Sequence, residues 1–122
     1  MAKTKVAKIR PDVRPDITTG ITRKIETGCG HFYVTINVDA TGKMFEVFGR
    51  LGKAGGCAAA QTETTCRLIS LALRSGIAPK AVAMQLKGIS CHVSIKGKNP
   101  VSSCSDALAI VMLDWLKKKK KE

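Results

Sequence analysis

Aromatic residues are scarce in this sequence: three Phe, one Tyr and one Trp among 122 residues. An interior filled by rings is excluded, so the core must be aliphatic and alanine-rich. A single domain of this length built that way gains from a staple such as a bound metal. Acidic residues are scarce too, nine Asp and Glu against 21 Lys and Arg, for a formal net charge of +12. No run approaches the ~20 apolar residues that cross a membrane, and residues 1–23 contain no apolar segment of the kind a secretory signal needs. The expected location is cytoplasmic, where thiols stay reduced and disulfides are rare. Local motifs are missing as well. There is no Cys-x-x-Cys to pin two metal ligands together, and the Gly-rich run at 52–56 lacks the Lys-Ser/Thr of a Walker loop.

The charge that is present lies mainly at the ends. Residues 1–24 carry a net +5, residues 25–116 a net +3, and residues 117–122 a net +4. Basic ends of this kind contact nucleic acid or simply keep a protein solvated, and no exposed aromatic platform accompanies them. Three segments follow: an extended basic leader over 1–20, a domain over 21–116 and a basic tail over 117–122.

Within the domain, Ile21–Thr27 reads as an edge strand ended by Gly28-Cys29-Gly30. The next run, His31–Asp39, alternates Phe32, Val34, Ile36 and Val38 on one face with Tyr33, Thr35 and Asn37 on the other, which predicts a strand. A turn at Ala40–Lys43 leads to a returning strand over Met44–Arg50. Thr62, Cys66, Ile69 and Leu73 predict a helix from about Ala58 to Ser75, with Leu68, Leu71 and Ala72 widening its apolar stripe and Gly76 as its cap. Pro79 opens a short helix closed by Gly88, and Ile89–Ile95 reads as a brief extended segment. Ser103 and Asp106 have the spacing of a capping box before a last helix, whose stripe is Cys104, Leu108, Val111 and Trp115. The expected fold class is α+β: a small antiparallel sheet with about three helices on one face, stapled by a metal.

Four cysteines, Cys29, Cys57, Cys91 and Cys104, each border a turn or a helix start, where a side chain can point inward without breaking a hydrogen-bond ladder. Helix N-termini at Cys57 and Cys104 favour thiolate, and four soft ligands suit tetrahedral zinc. Spacing alone is compatible with plain burial, the reading preferred for mid-helix Cys66. His31 and His92 neighbour Cys29 and Cys91 as replacement ligands or outer partners. The loop Arg50, Gly52, Lys53, Gly55 and Gly56 before a helix is a candidate anion site, or else a turn serving Cys57. Glu46, Glu63 and Asp106 read as surface or capping groups, so no catalytic carboxylate pair is indicated.

The motifs Thr27-Gly28-Cys29-Gly30, Phe32–Asn37, Phe45–Phe48, Leu51–Cys57, Ile69–Gly76, Gln85–Ile89 and Ser102-Ser103-Cys104-Ser105-Asp106 together resemble the C-terminal domain of adenosylcobalamin-dependent ribonucleotide reductases. That domain is named TSCPD after the last motif, in which Ser105 here replaces Pro. The resemblance runs from Arg10 to Leu116. It implies that Cys29, Cys57, Cys91 and Cys104 form one metal set, with Cys66 outside it. The order of elements also resembles iron–sulfur scaffold proteins, in which Cys29, Cys57 and Cys104 would be the cluster or zinc ligands. The reductase barrel is absent, as is the dithiol of a shuttle that re-reduces it, so the resemblance implies a module that is not an enzyme on its own. Three expectations follow. The chain is a zinc-binding accessory module contacting a nucleotide or nucleic acid, an iron–sulfur or thiol redox protein using the same cysteines, or a docking domain for a separate ribonucleotide reductase polypeptide.

Overall fold

The computed structural model of the protein describes residues 8–52 and 56–121. Three antiparallel strands, β1 (Thr19–Thr27), β2 (Gly30–Val38) and β3 (Met44–Leu51), follow one another in space as they do in sequence. Only Gly28 and Cys29 separate β1 from β2, because Thr27 pairs directly with Gly30. The alternation of β2 works as expected. Phe32, Val34 and Ile36 are buried on one face, while Tyr33 is exposed on the other. A bulge between Asn37 and Val38 pairs Asn37 with Glu46 and Val38 with Met44, leaving Phe45 as the extra residue.

Of three helices, α1 (Gly56–Arg74), α2 (Pro79–Leu86) and α3 (Cys104–Lys121), α1 and α3 cover the Phe32–Val34–Ile36 face, and α2 adds Val82 and Ala83 to the core from beside α3. Helix α1 lies along β3, α3 crosses β2 and β1, and α2 packs mainly against α3. The buried stripe of α1 is Thr62, Cys66, Ile69, Ser70 and Leu73. Leu68 and Leu71 do not widen it: they are 61% and 44% exposed. The reason is that β3 is an edge strand. Its Val47 N–H and C=O point away from β2, and Ser70 satisfies both, accepting from the N–H at 3.0 Å and donating to the C=O at 3.1 Å. A leucine in that place would leave two buried backbone groups without partners. Gly76 caps α1 at φ +91° with the Ile77 N–H on the Ala72 carbonyl, as the sequence suggests.

Residues 89–95 form no strand. Their ladder contact is the single bridge Ile95–Val101, because the turn at 96–100 folds the segment onto its own return rather than onto the sheet. At the other end of α3, residues 117–121 continue the helix, with the Lys119 ammonium 5.4 Å above the Trp115 ring. Among the described residues no helix is long and apolar enough to cross a membrane.

Neither Glu46 nor Asp106 is a surface group. Glu46 is 1% exposed on the face of the sheet away from the helices. The leader crosses that end of the face: Arg14 Nε donates to Glu46 Oε1 at 2.6 Å, and Asn37 Nδ2 donates to Oε2 at 2.6 Å. A second tie runs from the Asp12 N–H to the Arg74 carbonyl, 2.9 Å. Segment 8–18 thus lacks regular structure, yet it supplies the counter-charge that lets Glu46 be buried. Replacing Arg14 by Ala should lower stability by about 2 kcal/mol in urea denaturation, between an exposed pair and a fully buried one, since Arg14 itself is half-exposed. Adding Glu46→Gln should recover part of that loss. Equal stability of Arg14→Ala and the native chain would show that the leader does not neutralise Glu46.

Candidate functional site

Three cysteines far apart in sequence line one cavity of about 270 Å³. Cys29 comes from the β1–β2 turn, Cys91 from the irregular segment after α2, and Cys104 from the first residue of α3. Thr62, Thr65 and Leu108 fill in the walls. The turn is shaped by Thr27, a buried residue whose hydroxyl donates to the Gly30 carbonyl at 2.9 Å and accepts from the Cys29 N–H at 3.2 Å. The same hydroxyl lies 4.0 Å from the Cys104 sulfur, so it touches two of the three thiol positions. Sequence reasoning passed over Thr27; its one signal was a Thr directly before Gly-Cys-Gly, where a short hydroxyl locks a turn. Gly28 brings the third wall close. A Cβ on it would overlap the Val93 carbonyl, so only glycine lets the Cys91 segment lie against the Cys29 turn.

The start of α3 is tied down by two side chains. Ser103 Oγ accepts the Asp106 N–H at 3.0 Å, the expected cap. Asp106 does not return to Ser103. Its Oδ2 takes the Ser102 N–H at 2.9 Å and its Oδ1 the Gly88 N–H at 2.8 Å, so it clamps the end of α2 as well.

The thiol of Cys104 does not show the depressed pKa expected of a helix start. Burial pushes it up, the contact with Thr27 pulls it back in part, and the neighbouring Cys29 and Cys91 thiols push it up again. Desolvation and like groups therefore outweigh the helix end. Among the described residues, however, no three Cys, His, Asp or Glu side chains already stand close enough together to hold a metal ion. The donors are of the right type and border one cavity, but they do not form a closed cluster.

The other candidates are dispersed. Cys57 is exposed at the second residue of α1, one position before Ala58, which does line the cavity. Cys66 is buried against the sheet and its thiol is pushed up to about 11 by burial, so it is inert core. His92 Nδ1 sits 3.7 Å from the Cys91 sulfur, beside the cavity. His31 is turned to the outer sheet face, where Nδ1 meets Glu26. Arg50 is also exposed on that face, the Gly52 N–H is taken by the His31 carbonyl at 2.9 Å, and Gly56 opens α1 at φ +85°. Lys53 and Gly55 lie outside the described residues. The loop amide of Gly52 is therefore spent on the sheet rather than offered to an anion.

A family model for the TSCPD domain matches residues 3–115. The chain belongs to the TSCPD domain family. This is the domain found at the C-terminus of adenosylcobalamin-dependent ribonucleotide reductases, and no curated protein and no solved structure matches the chain. The motif that names the family has a physical meaning in this TSCPD domain. Ser103 caps α3, Cys104 faces the cavity, and Asp106 ties α2 and the loop before α3 to the helix start. Ser105, where the motif has Pro, is the second helical residue, a first-turn position at which the N–H has no helical partner in either case.

Thiol reactivity follows from this arrangement. In chelator-treated protein at about pH 8, iodoacetamide should label exposed Cys29 and Cys57 first, half-buried Cys104 more slowly, and Cys66 only on unfolding. Peptide mass spectrometry over a time course reads the order. Labelling of Cys66 as fast as Cys29 would contradict its burial.

Proposed function

We propose that this TSCPD domain is a non-catalytic, zinc-binding accessory module of ribonucleotide reductase lineage. It works in the cytoplasm and meets a nucleotide or nucleic acid through its basic surface. The observation that carries the reading is the convergence of Cys29, Cys91 and Cys104 on one cavity from three separate elements. Thiolates are the ligands a structural zinc takes, and Cys57, at the start of the helix whose next residue lines the cavity, is the fourth. Zinc bound there would cross-link the β1–β2 turn, the irregular 89–95 segment and the start of α3. It would thus stabilise the part of the domain with the fewest ladder hydrogen bonds. Thr27, Ser103 and Asp106 hold the turn and the helix start, while His92 supports Cys91 from outside. As such a module it acts on or beside other molecules.

Docking on a separate reductase polypeptide is the second reading. It is favoured by an apolar groove of about 500 Å³ between α1 and α2, bordered by exposed Leu68 and Ile77. An iron–sulfur cluster on the same thiols is the alternative for the metal.

Metal analysis tests the centre. Purified protein should carry one zinc per chain and be colourless. Serine at Cys29, Cys57, Cys91 or Cys104 should lower zinc content and the melting temperature sharply, a loss on the order of several kcal/mol. Cys66→Ser should keep the zinc. Iron with visible absorbance would move the reading to a redox protein. A metal-free chain whose melting temperature ignores both zinc and chelators would overturn the metal reading altogether.

A further inference from the structure

The sheet has a second face, turned away from the helices. Two rows of side chains cross its open part. In one, Lys24 on β1 stands opposite Tyr33 on β2, which stands opposite Arg50 on β3. In the next, Thr22 stands opposite Thr35 and Thr35 opposite Phe48. Tyr33 and Phe48 are therefore diagonal neighbours on adjacent strands, close enough to form one surface. They are 40% and 45% exposed. A chain with only five Phe, Tyr and Trp residues thus spends two of them side by side in solvent, on the sheet rather than beside the basic ends.

The charges on this face are arranged one way. Both carboxylates are engaged, Glu46 by Arg14 and Asn37 and Glu26 by His31. The side chains of Lys24 and Arg50, which flank the Tyr33 ring, make no ion pair or hydrogen bond with any described residue. The Thr22 and Thr35 hydroxyls, 2.8 Å apart, add neutral donors and acceptors beside Phe48. Among the described residues of the leader, Arg14 meets this face at its Asn37–Glu46 end.

We propose that this outer face binds single-stranded nucleic acid, its bases stacking on Tyr33 and Phe48 and its phosphates meeting Lys24 and Arg50. Flat exposed rings between unpaired cations match a strand whose bases are free to stack. A duplex offers the same phosphates but keeps its bases stacked within itself. The proposal rests on the reading that the partner is a nucleic acid, names the surface that meets it, and is independent of the metal.

The test is fluorescence anisotropy with a labelled oligothymidylate of about 12 nucleotides, a length one small domain can cover, against a duplex of equal length. The native chain should prefer the single strand. Tyr33→Leu and Phe48→Leu keep apolar bulk on the sheet but remove the flat ring, and each should weaken binding about tenfold. Tyr33→Phe should bind like the native chain, and melting temperatures near the native value show that the sheet is intact. Lys24→Gln with Arg50→Gln should lower the slope of log affinity against log salt by about 1 to 1.5. If the native chain binds neither oligonucleotide, the nucleic-acid reading fails and the proposal with it. If single strand and duplex bind alike, or if both leucine variants bind normally while removal of residues 117–122 abolishes binding, the face is overturned and the nucleic-acid reading stands on the basic end of α3. Normal oligonucleotide binding by both leucine variants with melting temperatures lowered would overturn the face too, making the rings a cross-strand stabiliser.

Discussion

One buried carboxylate closes the loop on which the thiol cavity depends. Asp106 takes the N–H of Gly88 on one oxygen and that of Ser102 on the other, so both ends of the 89–101 segment are held by a single side chain. Asp106 can be buried because those two N–H groups satisfy its oxygens and it sits in the first turn of α3, where the helix end is positive. With the ends fixed, the segment needs little regular structure of its own. The Ile95–Val101 bridge, the Cys91 N–H on the Ser102 carbonyl and the contact of Val93 with Gly28 suffice to set it against the β1–β2 turn. Cys91 is brought to Cys29 by this closure, and Cys104 by the packing of α3 on β1 and β2.

The rest of the domain divides into a dry side and an open side. On the dry side Phe32, Val34 and Ile36 meet Ile69, Leu73, Leu108, Val111 and Met112, an aliphatic core in which Phe32 is the one fully buried ring and Trp115 packs at the margin. On the open side Arg14 of the leader shields Glu46, and Tyr33 and Phe48 are exposed, with Lys24 and Arg50 flanking Tyr33. The two candidate surfaces are therefore separate. The thiol cavity lies among the β1–β2 turn, α1 and α3, and the aromatic face lies across the middle of the sheet on its other side. Metal and nucleic acid could be carried at once without competing for a residue.

Much of this was legible in the chain itself. Period-two alternation located β2, helical spacing located α1 and α3, and the glycines at 42, 76 and 88 marked turns that adopt positive φ. Membership of the TSCPD family was legible too, because its motifs are local strings. The burial of Glu46 was not, since Arg14 lies 32 residues away and nothing nearby in sequence announces the pair. Nor was the exposure of Leu68 and Leu71, because an apolar stripe cannot tell how wide a surface it will meet, and β3 as an edge strand demanded Ser70 instead.

What the sequence determined by itself was which residues belong to strands and helices and which four cysteines border them, since those follow from spacing along a chain. Tertiary structure alone decided that three of the four face one cavity, that Thr27 and Gly28 shape it, and that the Cys104 thiol is pushed up rather than down. It alone turned Tyr33 and Phe48 into neighbours on an uncovered face. The physical reason is the same in each case. Desolvation, strand register and the close approach of distant backbone depend on distances in space, and spacing along the chain does not specify them.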